Sequence, residues 1–188
     1  MNKYNPNIHN RKSIRLKGYD YSQAGLYFIT ICCQNRECRF GKIENDEMIL
    51  NEFGNIAYTE WLKLPERFPN FKLDVFQIMP NHMHSIIALN DVFVGAGFTP
   101  AQNDNQPNDD IRATARVAPT ISDIVGAYKS LVANGCLNIY KSKNKSMGKL
   151  WQRNYHEHII RNEQSYQTIS EYIINNPVKW TEDKFYTA

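Results

Sequence analysis

The chain has 188 residues, of which 42% are hydrophobic and 22% are charged, and its formal net charge at pH 7 is +3. This length and composition predict a single globular domain over residues 1–188 and exclude repeat and fibrous proteins. No window approaches the roughly 18 continuous apolar residues of a membrane span, and the polar, basic N-terminus lacks the apolar run of an export signal. We therefore expect a cytoplasmic protein with no membrane partner.

The first half of the chain predicts three strands, one hairpin or loop, and one helix. A β-branched and aromatic strand over residues 26–36 precedes a hairpin or loop over 39–50. Residues 51–64 have helical apolar spacing, with an asparagine cap at the start and a proline that ends the helix. Two strands follow over 71–80 and 82–90, separated by a Pro-Asn turn.

The second half begins with residues 91–119, which lack periodicity and predict a mobile insertion. A helix over 120–141, capped by Thr120 or Ser122, a strand over 150–162 and a final helix over 163–176 complete the chain. This order predicts an α+β fold of the split βαβ, ferredoxin-like or RRM-like type, in which helices pack on an antiparallel sheet. One helix is added at the C-terminal end.

The four cysteines do not form a disulfide framework or a paired zinc pattern. Cys32 and Cys33 are neighbours in a strand-like run, so their side chains should face opposite ways. We expect reduced structural thiols.

His82 and His84 lie in the segment MPNHMHSIIAL, which otherwise predicts an apolar strand. Because alternate residues of a strand face the same side, both imidazoles should point the same way and supply half of a metal site. The alternative is a pair of satisfied polar residues at a strand end.

Tyr172 and Asn176 are four residues apart in the final helix and share one face. An amide oxygen there would complete the metal site of the histidines, and the phenol would lie beside the metal. A cation could then polarise a phosphodiester while the tyrosine attacks phosphorus. The alternative is ordinary amphipathic packing, and eleven tyrosines compete for the role.

Three motifs occur in order, MPNHMHSIIAL, LWQRNYHEHIIRNEQSY and YIINNPVKW, and they resemble the signatures of the REP-associated tyrosine transposases. These enzymes are a branch of the single-tyrosine HUH transposases. The basic opening RKSIRLKGYDYS is similar to their N-terminal arm, predicted here over residues 1–22. The resemblance runs from about residue 11 to about residue 180, apart from the insertion.

The resemblance implies a role for each residue that matches a family motif. His82 and His84 match two metal ligands, Asn176 matches the position of the third, and Tyr172 matches the nucleophile. The expected cofactor is Mg²⁺ or Mn²⁺, and imidazole ligands suit Mn²⁺ or Zn²⁺ better than Mg²⁺. His158 matches a recurring Glu-His pair and is assigned a supporting position near the DNA phosphate or metal, or packing on the last helix.

The implied activity is the cleavage and rejoining of single-stranded DNA beside short palindromic hairpins. Tyrosine attack would leave a 5′-phosphotyrosine and a free 3′-hydroxyl. Such a protein would be associated with the nucleoid when bound to DNA. It would act as a monomer or a homodimer.

Two basic segments are candidates for DNA contact, although charge runs are also typical of solvated loops. Next to the second segment, Trp151 and Tyr155 could stack on unpaired bases, although a core position is the first expectation for Trp151. The predicted contacts are Arg11, Lys12, Arg15 and Lys17 in the arm, and Lys143, Lys145, Lys149 and Arg153 in the second segment.

Two other functions are compatible with the sequence. One is a catalytically silent protein of the same fold that binds DNA hairpins. The other is a zinc hydrolase built from both H-x-H pairs, the second being His156 and His158. Against the hydrolase, the chain has no H-E-x-x-H helix, and Glu157 should face away from its neighbouring histidines.

Overall fold

The computed structural model describes residues 23–90 and 119–187. These contain the strands β1 (Gly25–Cys32), β2 (Gly41–Glu44), β3 (Glu47–Leu50), β4 (Phe71–Ile78), β5 (His82–Leu89) and β6 (His156–Ile160). The helices are α1 (Glu52–Leu62), α2 (Leu64–Arg67), α3 (Ile121–Ser142) and α4 (Glu163–Ile174). The predicted arm at 1–22 and the predicted insertion, apart from its last residue, lie outside the described residues.

The main sheet has the strand order β4-β5-β1-β6, and every neighbouring pair is antiparallel. Strand β5 therefore lies between β4 and β1, which is the split βαβ arrangement. β2 and β3 form a separate two-stranded hairpin. The predicted α+β, ferredoxin-like fold with an added C-terminal helix is confirmed.

The two faces of the sheet pack against different helices because side chains alternate along each strand. Tyr27, Ile29 and Ile31 of β1 are fully buried on one face, in the core that includes Trp61 of α1 and Tyr128 of α3. This face holds most of the buried apolar residues. Burial of each large apolar side chain contributes roughly 1.5–3 kcal/mol, so most of the hydrophobic stabilisation comes from this face. The other face carries a smaller cluster with α4, formed by Ile86, Ile160 and Ile173 together with Leu26 and Phe28.

Local caps and turns fix the ends of the helices and hairpin. The Asn51 side chain accepts hydrogen bonds from the backbone N–H groups of Phe53 and Gly54, which confirms the predicted cap of α1. Thr120 caps α3 in a reciprocal capping box, and each such cap stabilises its helix by about 1 kcal/mol. Asn45 and Asp46 turn the β2–β3 hairpin with φ of 51° and 63°.

Two predicted strands are too long. β1 ends at Cys32 because Asn35 and Arg36 turn the chain with φ of 56° and 55°. β6 begins only at His156, although Trp151 still forms an isolated bridge with Cys33.

All four cysteines lie within the described residues and carry free thiols, as predicted. Cys32, Cys33 and Cys136 are buried, and Cys38 is exposed. None of the helices in residues 23–90 and 119–187 is long and apolar enough to cross a membrane.

Candidate metal and tyrosine site

The two histidines of the first H-x-H motif lie on β5, a central strand, and face α4. His82 is opposite Cys32 and His84 is opposite Thr30 on β1. Both histidines are 0% exposed, and their ring centres are 4.4 Å apart. The alternation of β5 therefore brings both imidazoles together, as the sequence predicts.

Each imidazole has its Nδ1 atom in a hydrogen bond with a neighbouring side chain. His82 Nδ1 is 2.8 Å from Asn81 Oδ1, and His84 Nδ1 is 2.8 Å from Thr30 Oγ1. Histidines that bind metal commonly use their second ring nitrogen in this way. The remaining nitrogen, Nε2, is the candidate ligand atom on both rings.

Asp183 comes from the segment after α4 and joins the histidines. A 3₁₀ turn at Trp180–Glu182 precedes it, and ligand atoms of His82, His84 and Asp183 all lie within 4.8 Å of one another. His82 Nε2 is buried and has no hydrogen-bond partner among the described residues. Two imidazole nitrogens and one carboxylate form a ligand set that suits a divalent cation, and His82 Nε2 is free to bind it.

The carboxylate of Asp183 also connects Tyr172 of α4 with Asn176, which lies two residues beyond the observed end of that helix. Its Oδ2 accepts hydrogen bonds from the Tyr172 hydroxyl at 2.8 Å and from Asn176 Nδ2 at 2.6 Å. Its Oδ1 accepts from the backbone N–H of Phe185 at 2.6 Å. Asn176 is therefore at the site, but its amide nitrogen faces Asp183, and its buried Oδ1 has no partner within the described ranges.

Tyr172 lies directly beside the histidines in the same chain. Its hydroxyl is 3.0 Å from His84 Nε2, and the side chain is 37% exposed. By contrast, the Tyr166 hydroxyl on the same helix donates to Asp74 at 3.0 Å. Tyr172 opens onto a cleft of about 290 Å³ lined by Thr168, Glu171, Tyr172, Asn175, Asn176, Lys179, Glu182 and Asp183.

Burial sets the protonation states of the site. It lowers the pKa of His82 to about 4, although the Asp183 charge opposes this shift. The pKa of His84 is also lowered, by burial and then by the charge of His82. Both imidazoles are therefore neutral near pH 7, which is the form that binds metals.

The tyrosine and the carboxylate shift in opposite directions. Burial, followed by the hydrogen bond to Asp183, raises the pKa of Tyr172, so the phenol is protonated near neutrality. Burial would raise the pKa of Asp183, but hydrogen bonds from the Phe185 backbone, Asn176 and Tyr172 outweigh it and lower the pKa. Near neutral pH, the ionised Asp183 carboxylate therefore accepts a hydrogen bond from the protonated Tyr172 phenol.

The second H-x-H pair shares this face of the sheet but not the metal-capable cluster. His156 is opposite Thr30 and His158 is opposite Phe28, yet both are exposed, and neither is in the group formed by His82, His84 and Asp183. In the part of the chain that the structure describes, a four-histidine centre does not form. The supporting role of His158 stays a prediction.

Trp151 belongs to the core and is not available for base stacking. It is 9% exposed, its ring centre is 5.2 Å from that of Phe40, and its Nε1 donates to the Lys129 carbonyl at 3.0 Å. Tyr155 is partly buried, with its hydroxyl 3.2 Å from the Ser122 hydroxyl.

The predicted basic contacts are only partly within the structure. Lys145, Lys149 and Arg153 are exposed, whereas the exposed Lys143 forms an ion pair with Glu52. The arm residues Arg11, Lys12, Arg15 and Lys17 lie outside the described residues.

Sequence reasoning missed Asp183 and two cations next to the site. Arg36 and Lys184 lie 5.4 Å and 4.9 Å from the centre of the Phe185 ring, which is itself 4.7 Å from the His82 ring. Arg36 donates to the Lys184 carbonyl at 3.1 Å across 148 residues of sequence, so no local pattern indicates this pairing. Asp183 follows the last motif of the resemblance, and the acidic pair that contains it gives no specific signal.

No protein-family model matches the chain. An uncharacterised protein of Haemophilus influenzae is 45% identical over 188 residues, covering 98% of this chain and 97% of the relative. A second H. influenzae protein, named "Putative REP-associated tyrosine transposase", is 25% identical over 161 residues, or 85% of this chain and 74% of that one.

A solved structure of a REP-associated tyrosine transposase bound to a REP hairpin has the same fold. The TM-score is 0.56 at 20% identity, over 90% of this chain and 76% of that chain. The sequence match supports an enzyme of the transposase kind. The chain is therefore similar to the REP-associated tyrosine transposases in both sequence and fold.

Proposed function

We propose that this protein is a metal-dependent transposase that cleaves and rejoins single-stranded DNA beside short palindromic hairpins through Tyr172. One observation carries the proposal: the Tyr172 hydroxyl is 3.0 Å from His84 Nε2 and 2.8 Å from Asp183, at the edge of the cleft. A phenol held next to a cluster of metal-capable donors is suited to attack a phosphodiester. The hairpin bound by the solved relative supports this class of substrate.

His82, His84 and Asp183 would hold Mg²⁺ or Mn²⁺, and two imidazoles favour Mn²⁺. When bound, the cation supplies a positive charge that polarises a phosphate oxygen. Asn176 donates to Asp183 and so orients the carboxylate, and its Oδ1 is available as the further ligand that the sequence predicts.

The phenol proton has an acceptor in Asp183. As the Tyr172 oxygen forms its bond to phosphorus, its proton would pass along the 2.8 Å hydrogen bond to the carboxylate. The bond from phosphorus to the 3′ oxygen breaks, and the products are a 5′-phosphotyrosine and, after protonation, a free 3′-hydroxyl. Because the covalent link retains the phosphodiester energy, a 3′-hydroxyl of another strand can reverse the step without ATP.

Exposed cations around the site would bind the DNA backbone. Arg36 and Lys184 flank the histidines, and Lys149 and Arg153 provide the second surface. We assign the N-terminal arm, with Arg11, Lys12, Arg15 and Lys17, to the hairpin backbone on the basis of its sequence alone. Because His84 and Tyr172 meet within one chain, a monomer would suffice for cleavage, and the substrate would be met in the cytoplasm.

The proposal is tested with labelled single-stranded hairpins from the chromosomal neighbourhood of the gene, incubated with protein and Mn²⁺ and separated by denaturing electrophoresis. We expect a covalent protein–DNA adduct and a cut strand. Tyr172→Phe and His82→Ala should abolish both products. Tyr166→Phe is the matched control, because it removes a hydroxyl from the same helix that also donates to an aspartate, and it should retain activity.

Two results would contradict the proposal in different ways. Cleavage that survives in Tyr172→Phe would reassign the nucleophile to an activated water. Tight hairpin binding without an adduct, across many hairpins and with Mn²⁺ present, would favour the catalytically silent binding protein.

A further inference from the structure

Asn81 occupies the turn between β4 and β5 and uses both ends of its amide. The side chain is 1% exposed. Its Nδ2 donates to the Phe185 carbonyl at 2.8 Å and to the Arg36 carbonyl at 3.1 Å, and its Oδ1 is 2.8 Å from His82 Nδ1.

These partners determine which way the amide points. Carbonyl oxygens only accept hydrogen bonds, so the NH₂ end of Asn81 must face Phe185 and Arg36. The amide oxygen, which is also only an acceptor, must then face His82. His82 Nδ1 therefore carries the hydrogen and donates it, which leaves the lone pair on Nε2.

Thr30 does not constrain the other histidine in the same way. A hydroxyl both donates and accepts, so its 2.8 Å contact with His84 Nδ1 is compatible with either tautomer. His82 Nε2 has no hydrogen-bond partner among the described residues. Among these contacts, Asn81 alone fixes a tautomer in which Nε2 can bind a metal.

We propose that Asn81 is the positioning residue that holds His82 in its metal-binding tautomer and ties it to the segment that carries Asp183. The proposal rests on the metal site of the proposed function. Without the amide oxygen, the ring proton can occupy Nε2, and that tautomer cannot coordinate through this atom. Loss of such a partner typically lowers metal affinity 10–100-fold.

The backbone contacts give Asn81 a second effect. The Phe185 carbonyl lies two residues after Asp183, and the Arg36 carbonyl belongs to the turn that follows β1. One side chain thus joins a metal-binding histidine to the two segments that supply the carboxylate and a flanking cation. Removal of its donors should loosen Asp183 without changing the histidine tautomer.

The test measures tautomer and affinity separately. Long-range ¹H–¹⁵N NMR of chelator-treated protein near neutral pH reports which ring nitrogen of His82 carries hydrogen, with the signal assigned by comparison with His82→Gln. Calorimetric titration with Mn²⁺ gives the affinity. Asn81→Ala removes acceptor and donors, whereas Asn81→Asp keeps an acceptor for Nδ1–H and loses the donors.

We expect wild-type His82 to carry hydrogen on Nδ1. Asn81→Ala should populate the Nε2–H form and bind Mn²⁺ about 10–100-fold more weakly. Asn81→Asp should keep Nδ1–H and recover part of the affinity. Asn70→Ala is the matched control, because Asn70 is 2% exposed and its Nδ2 donates to the Pro119 carbonyl at 3.0 Å, away from the site.

An Nδ1–H tautomer and unchanged Mn²⁺ affinity in Asn81→Ala would overturn the proposal. If Asn81→Ala fails to fold, the test uses Asn81→Asp, which keeps an acceptor for Nδ1–H. A His82 hydrogen on Nε2 in Asn81→Asp would also overturn the proposal. Wild-type protein that binds no Mn²⁺ would contradict the proposed function instead, and the tautomer measurement still decides the role of Asn81.

Discussion

Acidification should destabilise the metal-free protein, because His82 and His84 are buried as neutral imidazoles. Burial lowers the pKa of His82 from its ordinary value of 6.5 to about 4. Between these values the unfolded chain binds a proton that the folded chain does not, so stability falls as the pH falls. One proton gives a slope of about 1.4 kcal/mol per pH unit, or about 3 kcal/mol across the window. His84 shifts in the same direction and steepens the slope.

The assay is urea unfolding with a chelator at about pH 7.5, 6.5 and 5.5, followed by circular dichroism. Wild type should lose little stability above pH 7 and lose it progressively below. His82→Gln should reduce the slope of unfolding free energy against pH by the contribution of about one proton. His158→Gln, which replaces an exposed histidine on the same face of the sheet, serves as the control. A wild-type stability that is constant down to pH 5.5, or an unchanged slope in His82→Gln, would refute this reasoning.

Three further predictions concern ligand binding. Tyr172→Phe should raise Mn²⁺ affinity about fivefold in calorimetry, because it removes a hydrogen bond of about 1 kcal/mol that occupies His84 Nε2. A lower affinity would show that the Tyr172 hydroxyl does not compete with the metal for His84 Nε2. Asp183→Asn should lower Mn²⁺ affinity at least tenfold in the same titration, because it removes the only carboxylate of the metal-capable cluster in the described residues; equal affinity would exclude it as a ligand. Arg153→Ala should reduce the slope of log affinity for the hairpin against log salt concentration by about one phosphate contact. Lys143→Ala should reduce this slope less, because Lys143 already forms an ion pair with Glu52. Equal slopes in the two variants would show that the ion pair does not keep Lys143 from the DNA.

The sheet, the helices and the histidine pair were predictable because their signals are local. Apolar periodicity and capping residues located α1 and α3, and the alternation of a strand brought His82 and His84 to one face. The four-residue spacing of Tyr172 and Asn176 also predicted that they share one site, and both contact Asp183, although α4 ends at Ile174 and Asn176 lies in the turn after it. These inferences need only residues that are close in sequence.

The rest of the site depends on long-range placement. Asp183 reaches the histidines only because a 3₁₀ turn follows α4, and Arg36 approaches Lys184 only because β1 ends early in a left-handed turn. Trp151 has neighbours typical of a basic surface, yet it packs beside Phe40. Such contacts are set by tertiary packing, which a local pattern does not encode.

The most direct test of the central claim is the chemical identity of the attached residue. The adduct formed with a hairpin and Mn²⁺ would be digested with nuclease and protease, and mass spectrometry would locate the remaining nucleotide. We predict a nucleotide linked through its 5′-phosphate to Tyr172. A nucleotide on any other residue, or a 3′-phosphate linkage, would contradict the account.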